Sequence, residues 1–290
     1  MKAIIFGINA QDGYYLAELL INKNISVIGI GRTPTLNVLV GDVKDYVFVE
    51  KLIKTHQPNY IFHLAANSTT HHEALFENHE TISTGTINIL EAVYKYSMHS
   101  KVFLSGSAVQ FENNGLPIDE KTPFSPLSPY AIARIQSVFA ARYFRKLGLN
   151  VYFGYFFKHD SPLRTERHIN QKIAMAVKRI ANGSKEIIEI GDISVRKEFN
   201  FAKDFMEAIW LFVNQTNEFE VVIGSGKDYS IKDWLSICFK SINKDYTKFV
   251  IEKQSFKSEY NVLVSNPKLL FSFGYNPKTD IINLAELMLK

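Results

Sequence analysis

Three small residues, Gly7, Ala10 and Gly13, separate a strand pattern from a helix pattern at the start of the chain, and this spacing constrains the fold most strongly. Residues 1–6, MKAIIF, are apolar and branched enough for a buried strand, and residues 14–20, YYLAELL, repeat apolar side chains at helical spacing. A sharp strand-to-helix turn is expected between them. Backbone N–H groups at such a helix start bind a pyrophosphate that small side chains allow to approach, whereas a purely structural turn is the alternative.

Strand and helix patterns alternate through the rest of the chain. Strand-like runs are AIIFGI, SVIGIG, YIFHLAA, KVFLSGS and NVYFGYFF, and helical patterns reach to about residue 23 and cover about 47–55, 84–96, 129–146 and 169–180. Short apolar strands joined by amphipathic helices are typical of parallel strands with right-handed crossovers and helices on both faces. The predicted fold class is α/β, a Rossmann-type doubly wound parallel sheet.

The sequence contains no repeat or obvious linker, so its parts are assigned from pattern alone. We expect the dinucleotide-binding part mainly at residues 1–160, with a further contribution from about 190–220. A small substrate-binding cap over the strand ends is expected mainly at residues 161–189 and 221–290.

Composition excludes several classes of protein. The 290 residues are 46% hydrophobic and 21% charged, enough to bury a large core. The single cysteine, Cys238, excludes an internal disulfide and a zinc site built of cysteines, and no run approaches the roughly 20 apolar residues that span a bilayer. Since no signal-peptide pattern precedes the first strand, we expect a cytoplasmic protein without a membrane partner.

Other ligand classes are disfavoured by residue patterns. The net charge of +4 comes from scattered lysines without the basic and aromatic pattern of nucleic-acid binding, so no nucleic acid is expected. His71, His72 and His79 lack a metal-ligand spacing, so no metal is expected. The chain also lacks the nucleophile elbow and phosphate-loop motifs of many hydrolases and kinases.

The residues that follow the second and third predicted strands bear on the cofactor. The run IGIGRT offers no carboxylate for the ribose hydroxyls of NAD and presents Arg32, which can pair with a 2′-phosphate. NADP is therefore predicted, with NAD as the alternative if Arg32 is only a solvated loop residue. Asp42 in GDVKD is expected beside the adenine, and the small residues of HLAAN (63–67) beside the nicotinamide ribose.

A tyrosine and an arginine four residues apart in SPYAIAR (128–134) supply a candidate catalytic pair. Tyr130 and Arg134 would share one helix face, roughly 6 Å apart along the axis. A tyrosine that transfers a proton needs its high intrinsic pKa lowered, which a fixed cation nearby achieves. Ser107 in FLSGSA could hydrogen-bond the same carbonyl oxygen. The spacing alone favours a packing tyrosine and a surface arginine.

Taken together, these residues resemble the extended short-chain dehydrogenases/reductases that act on nucleotide sugars. The resemblance is strongest to the subgroup of GDP-mannose 4,6-dehydratase and GDP-6-deoxy-4-keto-mannose reductase, and it runs in order through about residue 210. The stretches that carry it are GINAQDGYYLAELL, GDVKD, HLAANS, FLSGSAVQF, PFSPLSPYAIAR, FKHDSPLRTERHINQKIAMAVKRI and IEIGDISVRKEFNFAKDF.

The resemblance implies a role for each matching position. Ser107, Tyr130 and Arg134 fall on the family's catalytic Ser/Thr, Tyr and Lys. The implied cofactor-binding residues are Gly7, Ala10, Gln11, Asp12, Gly13, Arg32, Asp42, Val43, Leu64, Ala65, Ala66, Tyr130, Arg134 and His159. The implied substrate-binding residues are Asn67, Lys158, Arg196 (on an arginine that grips the diphosphate) and Glu259.

Several positions depart from the family pattern. Arg134 replaces the lysine, and Val109 stands where a dehydratase has the glutamate that acts as its base. Glu112 replaces a glycine, Lys158 replaces a substrate-binding asparagine, and Phe256 occupies the place of a second phosphate-binding arginine. These departures leave the sugar and the nucleotide open.

Because valine performs no acid–base chemistry, Val109 favours reduction over dehydration. The main hypothesis is NADPH-dependent reduction of the 4-keto group of a GDP- or dTDP-linked 6-deoxy-hexulose in surface-polysaccharide synthesis. Tyr130 would donate the proton, Ser107 would stabilise the oxyanion, and Arg134 would assist Tyr130 and orient the ribose. The alternatives are an epimerase or C4 oxidase with tightly bound cofactor, a non-catalytic cofactor or sugar sensor, and dehydration by an unrecognised base.

The resemblance also bears on assembly. The short segment IGRTPTLN lacks the arginine-rich loop with which dehydratases reach a neighbouring subunit, which favours a dimer over a tetramer. Helices 84–96 and 129–146 carry apolar stripes, and in the family two such helices per subunit form a four-helix bundle. The alternative is that both stripes are buried within one subunit.

Overall fold

Seven parallel strands form the central sheet of the computed structural model, which describes residues 1–35, 38–215, 217–253 and 258–290. The strands within these ranges are β1 (Lys2–Phe6), β2 (Ser26–Gly31), β3 (Val38–Val40), β4 (Tyr60–His63), β5 (Lys101–Ser107), β6 (Asn150–Phe156), β7 (His159–Asp160), β8 (Ile188–Ile190), β9 (Arg196–Glu198), β10 (Asn200–Phe201), β11 (Glu220–Ile223), β12 (Asp228–Ser230), β13 (Val250–Glu252) and β14 (Val262–Leu263). The α-helices are α1 (Gln11–Asn22), α2 (Tyr46–His56), α3 (Leu75–Asn78), α4 (Gly85–Tyr96), α5 (Pro129–Lys146), α6 (Ile169–Ala181), α7 (Ala202–Phe212), α8 (Ile231–Lys240), α9 (Lys268–Ser272) and α10 (Ile281–Leu289).

The sheet has the order β11-β6-β5-β4-β1-β2-β3 and is covered by helices on both faces. Side chains of β1 alternate between the two faces, because Ala3 and Ile5 join one apolar core and Ile4 and Phe6 join the other. Helices α1 and α7 cover the first face, and α2, α4 and α5 cover the second. The structure confirms the predicted doubly wound parallel sheet, whose ligand crevice is expected where the strand order reverses, between β1 and β4.

A third apolar core lies in the second half of the chain. Helices α6, α8 and α10 pack around Trp234, which is fully buried. Strands β9, β12 and β14 form a small three-stranded sheet, and β8 pairs with β13. The chain returns to the central sheet at Glu220–Ile223, so the last predicted boundary, at about residue 221, falls inside strand β11.

The long elements lie close to their predicted positions, and the short ones differ. The helix predicted from about residue 84 is preceded by α3 and by a π-helical segment, His79–Thr84. Strand β3 and helix α7 were not expected. β3 has only three residues, which is too short to display a hydrophobic period.

Helix α5 is 18 residues long and carries Arg134, Arg142, Arg145 and Lys146. Across the described ranges, no helix combines the length and the apolar character needed to cross a bilayer.

Candidate active site

The turn after β1 brings the backbone of three segments together. Gly7 has φ +95°, and a Cβ atom there would lie 2.7 Å from the backbone nitrogen of Ala65. A Cβ atom on Gly13 would overlap the carbonyl oxygen of Gly7. Both positions therefore require glycine. Ala10 precedes the first residue of α1, Gln11, and no side chain caps the N–H groups of this helix start. The turn therefore presents free N–H groups to an anion.

A cavity of about 140 Å³ extends from this turn along the ends of β1, β2 and β4. Eight of the expected cofactor-binding residues line it: Gly7, Ala10, Arg32, Asp42, Val43, Leu64, Ala65 and Ala66. Its lining is mostly small and apolar, and Arg32 and Asp42 are its charged members. Arg32 is exposed at its rim, where Nη1 lies 3.3 Å from Oε1 of Glu77.

A second cleft of about 260 Å³ holds the expected catalytic residues Ser107, Tyr130 and Arg134. Helix α5, which carries Tyr130 and Arg134, begins at Pro129. Ser128 caps it by accepting a hydrogen bond from the Ala131 N–H (3.1 Å). Tyr130 and Arg134 then lie one turn apart on the buried face, and Arg134 Nη2 donates to the Tyr130 hydroxyl oxygen (3.2 Å). The arginine is buried with the tyrosine and does not lie on the surface.

Arg134 is also bound to the end of β5. Its Nη1 donates to the carbonyl oxygen and to Oγ of Ser105, the latter at 2.9 Å, and Ser105 Oγ donates to the carbonyl oxygen of His63 (3.0 Å). Burial, followed by the charge of Arg134, lowers the pKa of His63 to about 3. Ser105 was not predicted from the sequence as a site residue, although its place two residues before Ser107 puts it on the same strand end.

The three residues that follow Ser107, Ala108 to Gln110, carry no acidic or basic side chain. The Ser107 N–H donates to Oε1 of the buried Gln110 (2.9 Å), which fixes the end of β5, and Val109 contributes its apolar side chain to the cleft. Among the described residues that line this cleft, Asp12 is the one carboxylate.

Asp12 is paired with His159. His159 Nε2 lies 3.0 Å from Asp12 Oδ1, and Nδ1 lies 2.8 Å from the Phe157 carbonyl oxygen. Both ring nitrogens of His159 therefore face acceptor atoms, a carboxylate oxygen on one side and a carbonyl oxygen on the other. Burial would raise the pKa of Asp12, but the charge and hydrogen bond of His159 lower it below its ordinary value. Gln11 accepts a hydrogen bond from Ser161 Oγ (2.8 Å) beside this pair.

Three cations surround the fully buried Asp160 on the far side of the cleft. Lys158 Nζ lies 2.8 Å from Asp160 Oδ1 and Arg164 Nε lies 3.7 Å from it. Burial opposes ionisation of Asp160, but Lys158 and then Arg164 hold its pKa well below its ordinary value. Burial lowers the pKa of Lys158, and burial with repulsion from Lys158 lowers the pKa of Lys197 to about 7.

Two further residues of this region, Arg164 and His168, were not predicted from the sequence as site residues. Arg164 lines the cleft and donates from Nη1 to Nε2 of His168 (3.3 Å), so His168 carries no proton on that nitrogen. Burial, followed by the charge of Lys158, lowers the pKa of His168 to about 4. Neither residue belongs to a distinctive spacing, so only their approach in space identifies them.

The expected substrate-binding residues are not all brought together. Lys158 lines the cleft, Asn67 donates to Oε2 of Glu77 (2.7 Å), and Glu259 accepts from Thr70 Oγ1 (3.0 Å) at the cleft mouth. Arg196 is exposed and pairs with Asp228. The structure therefore does not bring Arg196 to the cleft.

The next residue along β9 has the orientation that Arg196 was expected to have. Lys197 is buried and lines a neighbouring cavity of about 360 Å³, which shares Tyr260 with the cleft. Alternation along an extended strand places adjacent residues on opposite faces, which accounts for the difference. Phe256, which was expected in place of a phosphate-binding arginine, lies outside the described residues.

Comparison with known proteins identifies the family. A family model described as GDP-mannose 4,6 dehydratase matches residues 4–272. The chain belongs to the GDP-mannose 4,6 dehydratase family. A family member from Caenorhabditis elegans, GDP-mannose 4,6 dehydratase 2, is 30% identical over 335 residues, covering 99% of this chain and 87% of that protein. The resemblance to nucleotide-sugar enzymes of the extended short-chain dehydrogenase/reductase type is confirmed, and the chain is an enzyme of that type.

Solved structures share the complete fold. UDP-glucose 4-epimerase from Thermotoga maritima, solved with UDP-glucose, matches with a TM-score of 0.86 at 20% identity, covering 100% of this chain and 97% of the epimerase chain. RMD from Pseudomonas aeruginosa, complexed with NADPH, matches with a TM-score of 0.85 at 18% identity, covering 99% and 96% of the two chains. At identities of 20% and 18%, these likenesses show a shared fold and do not identify the reaction.

Proposed function

We propose that this chain reduces, with NADPH, the 4-keto group of a GDP- or dTDP-linked 6-deoxy-hexulose, in the cytoplasm and for surface-polysaccharide synthesis. The observation that carries the proposal is the composition of the cleft. Dehydration needs a base to remove a proton beside the keto group, yet Val109 stands at the position of that base. Asp12, the one carboxylate among the described lining residues, is already paired with His159. Reduction needs only a hydride and a proton donor.

The described residues fit a nicotinamide dinucleotide. The close backbone approach at Gly7 and Gly13 leaves N–H groups free for the pyrophosphate, and the adjoining cavity fits the adenosine. When bound, the nicotinamide supplies the hydride. Arg32 at the rim supports NADP over NAD, since a guanidinium can pair with the 2′-phosphate. Solved proteins of the same fold contain NADPH or NAD, which supports the cofactor class.

The chain's own residues supply the proton. Tyr130 donates its phenolic proton to the carbonyl oxygen as the C4–H bond forms, and the product gains two hydrogens in all. Arg134 already donates a hydrogen bond to that phenol oxygen, which stabilises the negative charge left on it. Ser107, at the end of β5 in the same cleft, donates to the developing oxyanion.

The substrate's diphosphate is held by cations outside the catalytic end. Lys158 lines the cleft, and Lys197 lines the adjoining cavity, with Tyr260 between the two spaces. We assign the diphosphate contact to Lys197, because Arg196 faces away and is neutralised by Asp228. Glu259, which accepts from Thr70 of the cleft lining, and Asn67, which donates to Glu77, are proposed to contact the ribose and the sugar.

We propose further that two copies associate through α4 and α5. These helices pack against each other, and each leaves apolar side chains exposed on its outer face: Ile87 and Tyr94 on α4, and Ile132, Phe139 and Tyr143 on α5. Two such pairs facing each other form a four-helix bundle that buries these side chains.

The decisive experiment is mass spectrometry of the products after mixing the protein and NADPH with GDP- and dTDP-linked 4-keto-6-deoxy sugars. We expect a product two hydrogens heavier, with matching NADPH loss. Tyr130→Phe should remain folded and lose about 10²- to 10⁴-fold in kcat. GDP-mannose, tested in parallel, distinguishes dehydration from reduction. Loss of water from GDP-mannose would overturn the proposal. Unchanged keto substrate with bound oxidised cofactor would favour epimerisation.

A further inference from the structure

Arg134 depends on one residue for most of its hydrogen bonds. Of the three that its guanidinium donates, two go to Ser105, at the carbonyl oxygen and Oγ, and the third goes to the Tyr130 hydroxyl. Among the described atoms, its Nε has no partner. The side chain is 4% exposed, so water does not replace a lost protein acceptor at this depth.

The hydroxyl of Ser105 is itself held in one orientation. Its proton is donated to the carbonyl oxygen of His63 at the end of β4 (3.0 Å), which leaves an oxygen lone pair facing Arg134 Nη1 (2.9 Å). His63 in turn points Nε2 at the carbonyl oxygen of Thr81 (3.1 Å). Adjacent strand ends thus fix the acceptor before any ligand enters.

A guanidinium and an ammonium differ in what they require of a buried site. The guanidinium is wide and planar with five N–H donors, so its orientation depends on acceptors placed in its plane. The ammonium is compact and rotates its three donors freely. A chain with arginine at this position therefore needs an acceptor that a chain with lysine does not.

We propose that Ser105 is a positioning residue that fixes the Arg134 guanidinium against the Tyr130 phenol oxygen. The pair of Ser105 and Arg134 thereby performs the task of the single lysine that the family pattern places at residue 134. The kinetic part of this inference rests on the proposed reductase function, and a second measurement does not depend on it.

The kinetic test is a double-mutant cycle with Ser105→Ala and Arg134→Lys. With arginine present, Ser105→Ala should lower kcat about tenfold and leave the KM for the nucleotide sugar within about twofold, because one hydrogen bond to a charged group is lost at the catalytic end. With Arg134→Lys, the same substitution should change kcat less than about twofold. An equal loss in both backgrounds, or no loss in either, would overturn the proposal.

The second test observes Tyr130 without any substrate. In protein labelled with [13Cζ]tyrosine, the Tyr130 resonance is identified by its loss in Tyr130→Phe. It should move in Ser105→Ala and in Arg134→Lys, and stay in place in Ser137→Ala, a matched control that removes a buried hydroxyl of α5 itself, 3.2 Å from the Ile82 carbonyl oxygen. An unmoved resonance in a folded Ser105→Ala protein refutes the positioning role. Resonance shifts without turnover of any keto sugar refute only the reductase.

Discussion

At the scale of single residues, the proposed contact of Arg32 with a 2′-phosphate requires Arg32 to leave its present partner, Glu77. Its guanidinium pairs with Glu77, which also accepts from Asn67, and the Arg32 and Glu77 side chains are 66% and 43% exposed. An ion pair exposed to this extent contributes only about 0–1 kcal/mol, so a 2′-phosphate can displace the carboxylate. In the proposed role of Arg32, Glu77 therefore weakens the preference for NADP over NAD.

Glu77→Gln should strengthen that preference. We expect the ratio of the KM for NADH to the KM for NADPH to rise about two- to fivefold, because the released Arg32 no longer has a competing carboxylate. Glu80→Gln is the matched control, as Glu80 pairs with Lys44 at 3.1 Å and is similarly exposed. An equal rise in the control would mean that general charge, and not the Arg32 contact, sets the ratio.

The lowered pKa of Lys197 predicts how binding of the nucleotide sugar depends on pH. Its pKa is lowered to about 7 by burial and by Lys158, although Asp160 opposes this, so the ammonium is charged below pH 7 and neutral above it. The affinity for the nucleotide sugar should therefore fall as the pH rises through about 7. Lys197→Arg should remove this dependence, since a guanidinium keeps its charge. KM measured from pH 6 to 9 in both proteins tests this, and identical profiles would contradict the assignment.

At the scale of secondary-structure elements, one partly buried carboxylate ties helix α5 to edge strand β11. Glu220 pairs with Arg142 and Arg145 of the helix and accepts from the Tyr155 hydroxyl (2.6 Å). Burial opposes its ionisation, but Arg142 and Tyr155 hydrogen bonds lower the pKa of Glu220 to about 2. Since the folded-state pKa is the lower one, this stabilisation is present above about pH 4.5 and is lost as the pH falls towards 2.

Glu220→Gln should lower the free energy of unfolding by about 2 kcal/mol near neutral pH, because it leaves two arginines without their counter-charge. The difference from the unsubstituted protein should shrink as the pH falls from about 4.5 to about 2. Urea denaturation at a series of pH values measures it. A difference that does not vary with pH would show that packing, not charge, is the cause.

How far the elements could be predicted depends on their length. The long strands and helices of the first 160 residues were predictable because each repeats its apolar side chains with a period, whereas β3, with three residues, was not. Strand β9 has three residues, so nothing in SVRKEF showed whether Arg196 or Lys197 faces inward. That orientation is set by pairing with β12 and β14, which are distant in sequence.

The site shows the same limit. Helical spacing predicted that Tyr130 and Arg134 share one helix face, while their catalytic roles and that of Ser107 came from the family resemblance and stay a prediction. Ser105 was not predicted, since its role requires the burial of Arg134, which spacing alone disfavoured. The His159–Asp12 pair joins residues 147 positions apart, and only the assembled sheet reveals it.

At the scale of the whole molecule, the exposed outer faces of α4 and α5 predict the assembly. Phe139→Glu combined with Tyr143→Glu should convert a dimer into a monomer, because both side chains are more than half exposed in one chain and would be buried between two. Ile282→Glu, in α10 and exposed to the same degree as Phe139, is the matched control. Light scattering coupled to size exclusion gives the mass, and an unchanged mass in the double variant would contradict the interface.

The hydrogen bonds of Arg134 also bear on which substitutions its position can accept. Ser105 holds one end of the guanidinium, and the other end donates to the Tyr130 hydroxyl. A change at residue 134 removes the donor that faces the Ser105 hydroxyl, and a change at residue 105 removes an acceptor of the guanidinium. Each of the two positions therefore limits which residues the other can tolerate.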